Sequence, residues 1–177
     1  MRHVLACLPI LLSAAACGQF GAMSSSDVSG PSAIVIVHDV AGRELGTLTL
    51  LESDGGLAAS GVLRGLPPGT HGIHLHTIGQ CVAPFATAGG HWNPTAHQHG
   101  FDNALGPHAG DLQNIVVGAD SSAAVNVKTR SGSLRGSTGV LDADGSAVVV
   151  HAGPDDYRTD PSGNSGARIA CGVVTAR

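Results

Sequence analysis

Between His71 and Asp111 the chain places seven of its ten histidines, one of its four cysteines and its single tryptophan. Five of these histidines, His74, His76, His91, His99 and His108, lead to Asp111 at steps of 2, 15, 8, 9 and 3 residues. Imidazole and carboxylate donors at this density are the material of a metal centre, and a solvated loop has no need of them. His74 and His76 are two apart in a segment of strand character. Their rings therefore leave one face, while Ile73 and Leu75 point to the core. His151 closes a separate apolar run, AVVVH, and can complete a set of three or four nitrogens. All-nitrogen ligation in a tetragonal arrangement suits copper. His99, His108 and Asp111, joined by one more histidine, give three nitrogens and a carboxylate oxygen, a closed tetrahedral set of the kind zinc accepts. Gly110 permits the turn through which His108 and Asp111 converge.

His91 stands between the two groups in sequence and is the natural residue to serve both. It does so only as an imidazolate, and losing the second ring proton requires a strong cation on either side. His97 makes another i, i+2 pair with His99; it is read as a solvated loop residue, with replacement of His99 and adventitious binding as the alternatives. On a regular strand His71 shares the face of Ile73, which makes it a packed or hydrogen-bonded structural residue. His38 has no partner in sequence. A hydrolytic zinc site is disfavoured because no Glu stands beside the histidines to act as base.

The elements that must hold these groups read as strands. Residues 32–40 alternate two apolar sets, and 44–52, 57–63 and 69–76 follow at turn signals such as Ser53-Asp54-Gly55-Gly56. No hydrophobic periodicity survives between 77 and 111, so metal bonds and a disulfide are expected to supply the cohesion a core would give. Strands are expected again over 113–118, 123–130, 133–140, 147–151 and 168–175, with a second long loop over 152–167. Short strands, 26 glycines and 3% aromatics among 177 residues indicate one all-β domain. The expected fold is an eight-stranded Greek-key flattened barrel or immunoglobulin-like β-sandwich with two long functional loops.

The N-terminus reads as an export signal over 1–17, with an apolar run after Arg2 and small residues before Cys17. That run is too short to span a membrane. A bacterial lipoprotein signal would leave Cys17 acylated and attached to the membrane. Ala14, where such signals usually carry Leu, leaves ordinary cleavage and soluble release as the alternative. Residues 18–31 are polar and Gly/Ser-rich, a tether before a domain at 32–177. With Cys7 inside the signal, Cys81 and Cys171 remain as an even pair in a compartment that permits disulfides. A net charge of −4 and the lack of any Lys/Arg cluster argue against a nucleic-acid partner.

Four stretches together resemble the bacterial copper/zinc superoxide dismutases: Gly72 to His76, Ala88 to Pro94, Pro107 to Leu112 and Gly163 to Val173. The resemblance covers essentially all of 32–177, and it implies one copper and one zinc per chain, with superoxide as substrate. Position by position it implies copper on His74, His76, His91 and His151, and zinc on His91, His99, His108 and Asp111. His91 is then the bridge and a proton carrier in catalysis. It implies an outer carboxylate at Asp155 linking ligands of the two ions, a Cys81–Cys171 disulfide, and Arg168 beside the copper to guide the anion. It also implies a protein of the periplasm or cell envelope, with monomer and homodimer both open. Gln80 stands where many bacterial relatives have a basic residue, which shifts the positive field onto Arg168 and Arg158. Trp92 occupies a position that is often Phe or a smaller apolar residue. A non-enzymatic periplasmic copper/zinc-binding protein on the same fold is the alternative; it predicts a lost Arg168 or an incomplete copper set.

Overall fold

The computed structural model describes residues 32–177. The export signal expected over 1–17, the tether over 18–31 and the acylation candidate Cys17 lie outside the described residues.

Among the described residues nine strands follow in order: β1 (Ser32–Asp39), β2 (Glu44–Ser53), β3 (Gly56–Arg64), β4 (Gly69–His71), β5 (Ile73–His76), β6 (Ile115–Val117), β7 (Ser122–Lys128), β8 (Ala147–His151) and β9 (Arg168–Ala176). The alternation in β1 places Ala33, Val35 and Val37 in the core and turns Ile34 and Ile36 outward. In β8 all five residues are buried, which is why its sequence carries no alternation. Seven strands form one antiparallel sheet in the order β5-β8-β9-β1-β2-β3-β7, and β4 pairs with β6 in a separate ribbon. The sheet curls around a core that includes Val35, Leu48, Leu63, Ile73, Leu75 and Val150. Among the described residues no helix is long and apolar enough to cross a membrane.

Two expected strands differ. The stretch 69–76 is not one strand, because Gly72 divides it between the two sheets. Its N–H donates to Gly153 C=O at 2.8 Å and its C=O accepts from His151 N–H at 2.8 Å, so its main chain serves the second long loop and not a continuous ladder. The stretch 133–140 forms no strand. It doubles back, with Val140 N–H donating to Ser133 C=O and Leu141 N–H to Leu134 C=O. Leu134 and Val140 are fully buried all the same, so apolar spacing there reports burial and not extension.

The long loop after β5 holds one 3-10 turn, Ala86–Ala88. A disulfide joins Cys81 to Cys171 across 90 residues and fastens this loop to β9. Phe85, Ala88, Ala147, Val149 and Cys171 pack beneath it as a second small core.

Candidate metal centre

β5 and β8 lie side by side, with Leu75 opposite Val148 and His76 opposite Ala147. This pairing sets His74 opposite Val149, two residues before His151, and the His151 ring lies 4.9 Å from that of His74 and 5.7 Å from that of His76, centroid to centroid. The loop returns His91 to the same place, in an isolated bridge with His76. His74, His76, His91 and His151 are all buried, and each offers a donor atom within 4.8 Å of the others. Four ring nitrogens here, His74 Nδ1, His76 Nε2, His91 Nε2 and His151 Nε2, have no hydrogen-bond partner among the described residues. A buried polar atom without a partner costs about 1–3 kcal/mol, so four from neighbouring rings need a common explanation. A cation that prefers nitrogen donors supplies it, and copper fits the set.

The opposite nitrogens of these rings are taken. His74 Nε2 lies 2.7 Å from Asp155 Oδ2, His76 Nδ1 faces Gly89 C=O at 3.0 Å, and His151 Nδ1 faces Gly166 C=O at 3.2 Å. These partners fix each tautomer so that the free lone pair points inward. Burial holds His74 down at about 3 and His151 at about 4, and drives His76 well below the ordinary histidine value. The rings are neutral at physiological pH and ready to ligate.

A second cluster adjoins the first. Asp111 Oδ1 stands 2.9 Å from His91 Nδ1, 3.0 Å from His99 Nδ1 and 3.3 Å from His108 Nδ1. His91 Nδ1 and His108 Nδ1 are 3.4 Å apart. Donors on a tetrahedral zinc with bonds of about 2.0–2.1 Å are separated by about 3.3–3.4 Å, so the cluster has the dimensions of that site. His74, His91, His99 and Asp111 also offer donors within 4.8 Å of one another. His108 is the better fourth member, because His74 gives one nitrogen to Asp155 and turns the other to the first cluster. Burial opposes charge on both His99 and Asp111. Hydrogen bonding outweighs it: Asp111 and Asp155 raise His99 to about 9, and His108, His91 and His99 hold Asp111 far below the ordinary carboxylate range.

Asp155 joins the clusters: Oδ2 lies 2.7 Å from His74 Nε2 and Oδ1 lies 2.9 Å from His99 Nε2. Asn114 clamps it, accepting from Asp155 N–H at 2.8 Å and donating to Asp155 C=O at 2.9 Å. Tyr157 Oη accepts the Asn114 N–H at 2.7 Å. Sequence reading singled out neither residue, since an amide 41 positions from its partner leaves no local signal.

Arg168 donates to Phe85 C=O at 2.7 Å and to Gly89 C=O at 2.6 Å, which fixes its guanidinium. It lines a cleft of about 430 Å³ with His76, His91, His151, Pro161 and Ser162. Arg158, expected to share in the positive field, does not line this cleft; it pairs with Asp102 at 3.5 Å on the surface. Gln80 is exposed. His97 is exposed, and its Nδ1 faces Pro107 C=O at 3.1 Å, outside both clusters. His71 is buried between His151 C=O and Pro67 C=O, each 2.8 Å from a ring nitrogen.

A family model described as copper/zinc superoxide dismutase (SODC) matches residues 45–174. The chain belongs to the copper/zinc superoxide dismutase family. A superoxide dismutase [Cu-Zn] of Caulobacter vibrioides is 42% identical over 148 residues, 81% of this chain and 85% of that protein. The superoxide dismutase-like protein YojM of Bacillus subtilis is 45% identical over 138 residues, 75% of this chain and 70% of that one. Among solved structures, Cu/Zn superoxide dismutase from Brucella abortus superposes with a TM-score of 0.67 at 30% identity, covering 80% of this chain and 98% of that one. For this family an all-β architecture of the kind described above is the rule.

Proposed function

We propose that this protein is an exported superoxide dismutase that converts two superoxide anions and two protons into oxygen and hydrogen peroxide. The observation that carries the reading is the set of four buried ring nitrogens without a partner among the described residues, three of them on rings (His76, His91 and His151) that line one cleft with the fixed guanidinium of Arg168. His74, His76, His91 and His151 would hold copper, and His91, His99, His108 and Asp111 would hold zinc. Bound there, copper supplies one-electron chemistry, taking an electron from one superoxide and returning it to a second.

The chain's own groups do the remainder. Arg168 keeps its charge at any working pH and, tethered by two carbonyls, presents its remaining N–H groups to an anion in the cleft. The cleft has room for a diatomic anion beside His76 and His151. His91 Nε2 faces the first cluster and takes up or releases a proton, while Nδ1 stays with the Asp111 group. This gives a proton source for peroxide within the cleft. The second cluster, with its carboxylate and three rings, does no redox work and orders the loop.

The disulfide supports export, since such bonds persist in oxidising compartments. The division into signal, tether and domain, and attachment through Cys17, belong to the same reading. The YojM relative is named only as dismutase-like, so activity must be measured here. The full exported chain, loaded with copper and zinc and assayed with chelator present to silence free copper, is expected to consume superoxide. His76→Ala or His151→Ala should abolish turnover. Bound copper without superoxide consumption would establish a binding protein in its place.

A further inference from the structure

Leu75, Trp92 and Gly110 lie on three stretches of chain, each next to proposed ligands. Leu75 sits between His74 and His76, Trp92 follows His91, and Gly110 precedes Asp111. Their peptide groups form a closed ring of hydrogen bonds. Leu75 N–H donates to Gly110 C=O at 2.9 Å, Gly110 N–H to Trp92 C=O at 2.8 Å, and Trp92 N–H to Leu75 C=O at 2.8 Å. Each residue gives one bond and receives one, so no main-chain group in the ring is left open. All three residues are buried, where an open peptide group could not turn to water. Two isolated antiparallel bridges, His74 to Asp111 and His76 to His91, flank the ring on either side.

Gly110 fits the ring because it has no side chain. A Cβ there would stand 2.5 Å from Leu75 C=O oxygen, 3.0 Å from Trp92 N and 3.1 Å from Trp92 Cβ. The methyl would meet both of the other segments at once, and neither contact is with the far end of a flexible side chain. Gly110 thus has a steric duty besides allowing the turn between His108 and Asp111.

We propose that this peptide ring is a positioning device, with Gly110 as its positioning residue. It docks the loop on β5 by main chain alone and sets the spacing of both ligand groups independently of any ion. All its members are peptide groups, so ring protonation and metal loading do not enter into its bonds. His74, His76, His91, His108 and Asp111 leave the backbone within two residues of a ring member, so a shift of the ring moves members of both groups together; His99 and His151 stand farther along the chain. The ligand assignment above says what is positioned. Whether the ring docks the loop does not depend on that assignment or on dismutase activity.

Amide hydrogen exchange on the full chain, with the disulfide intact and metals stripped, decides the matter. The amides of Leu75, Trp92 and Gly110 are expected to exchange together, about 100-fold or more slower than those of exposed Ala96 and half-buried Asn103, which close turns in the same loop. Exchange as fast as those turn amides, slowed only when metal is added, would show that the ions gather the loop and would overturn the proposal. Gly110→Ala should weaken zinc binding, read by chelator competition, by about 10- to 100-fold and change the Cu(II) electron paramagnetic resonance spectrum. Gly90→Ala adds the same methyl to the same loop in open space and should keep the parent's affinity and spectrum. An unchanged spectrum and affinity in Gly110→Ala would also overturn it. Should Gly110→Ala not fold, exchange in the parent decides alone. No readout uses superoxide, so an inactive protein leaves these outcomes standing.

Discussion

Asp155 is a single buried carboxylate shared between the two histidine clusters, and each oxygen faces a ring nitrogen. An amide of the same shape has only one acceptor oxygen, so Asp155→Asn sets an NH2 against one of those rings. Metal affinity should fall by about 10- to 100-fold, with both ions affected because both groups touch the residue. Chelator competition for each ion checks this; loss at one ion alone would show that the bridge does not couple them. Arg168 offers a different test. It is the only Lys or Arg among the described residues lining the cleft, so removal of its charge should slow capture of the anion without moving a ligand. Arg168→Ile is expected to lower superoxide turnover about 10-fold with the Cu(II) spectrum retained. Arg168→Lys should recover only part, since a flexible ammonium cannot keep both carbonyl contacts.

At the scale of elements, sequence pattern and structure part company where the main chain has duties outside its own strand. The i, i+2 spacing of His74 and His76 was legible because β5 is regular there. The break at Gly72 was not, because nothing local records that its peptide bonds to residues 151 and 153. The apolar spacing of 133–140 suggested a strand, yet Leu134 and Val140 reach the core from a doubled-back turn. Arg158 was beyond reach for a similar reason: sequence does not say which way a loop side chain leaves. Trp92 was noted only as an unusual residue, and the structure gives it a partner. Gly132 lies against its ring at a φ of +121°, and a Cβ there would come within 2.5 Å of two ring carbons. Gly132→Ala should therefore destabilise the protein by about 1–3 kcal/mol, read from the urea midpoint by circular dichroism. Trp92→Phe in the same chain should recover part of the loss; no recovery would place the cost in the backbone conformation alone.

For the molecule as a whole, metal chemistry, all-β class and disulfide could be read from residue types, while the state of each ionisable group required the packed structure. Those states oppose one another across pH in the metal-free protein. His74 and His151 are held down at about 3 and about 4, mainly by burial. Between those values and the unfolded value near 6.5 the unfolded chain binds protons that the folded chain refuses. Stability therefore rises with pH through that window, and burial of the neutral rings contributes fully only above 6.5. His99 runs the other way. Its hydrogen bonds to Asp111 and Asp155 overcome burial and raise it to about 9, so its contribution is complete below 6.5 and disappears as pH climbs through 9. Melting temperature of the metal-free protein should accordingly peak near pH 6.5 and fall on both sides, by on the order of 5 °C over the alkaline limb. Zinc at the second cluster takes the place of the His99 proton, so the zinc-loaded protein should lose that alkaline decline. Thermal melts from pH 4 to pH 9, with and without zinc, read both limbs. A metal-free protein whose stability stays level from 6.5 to 9 would show that His99 carries no extra proton and that the carboxylates around it do not govern the cluster.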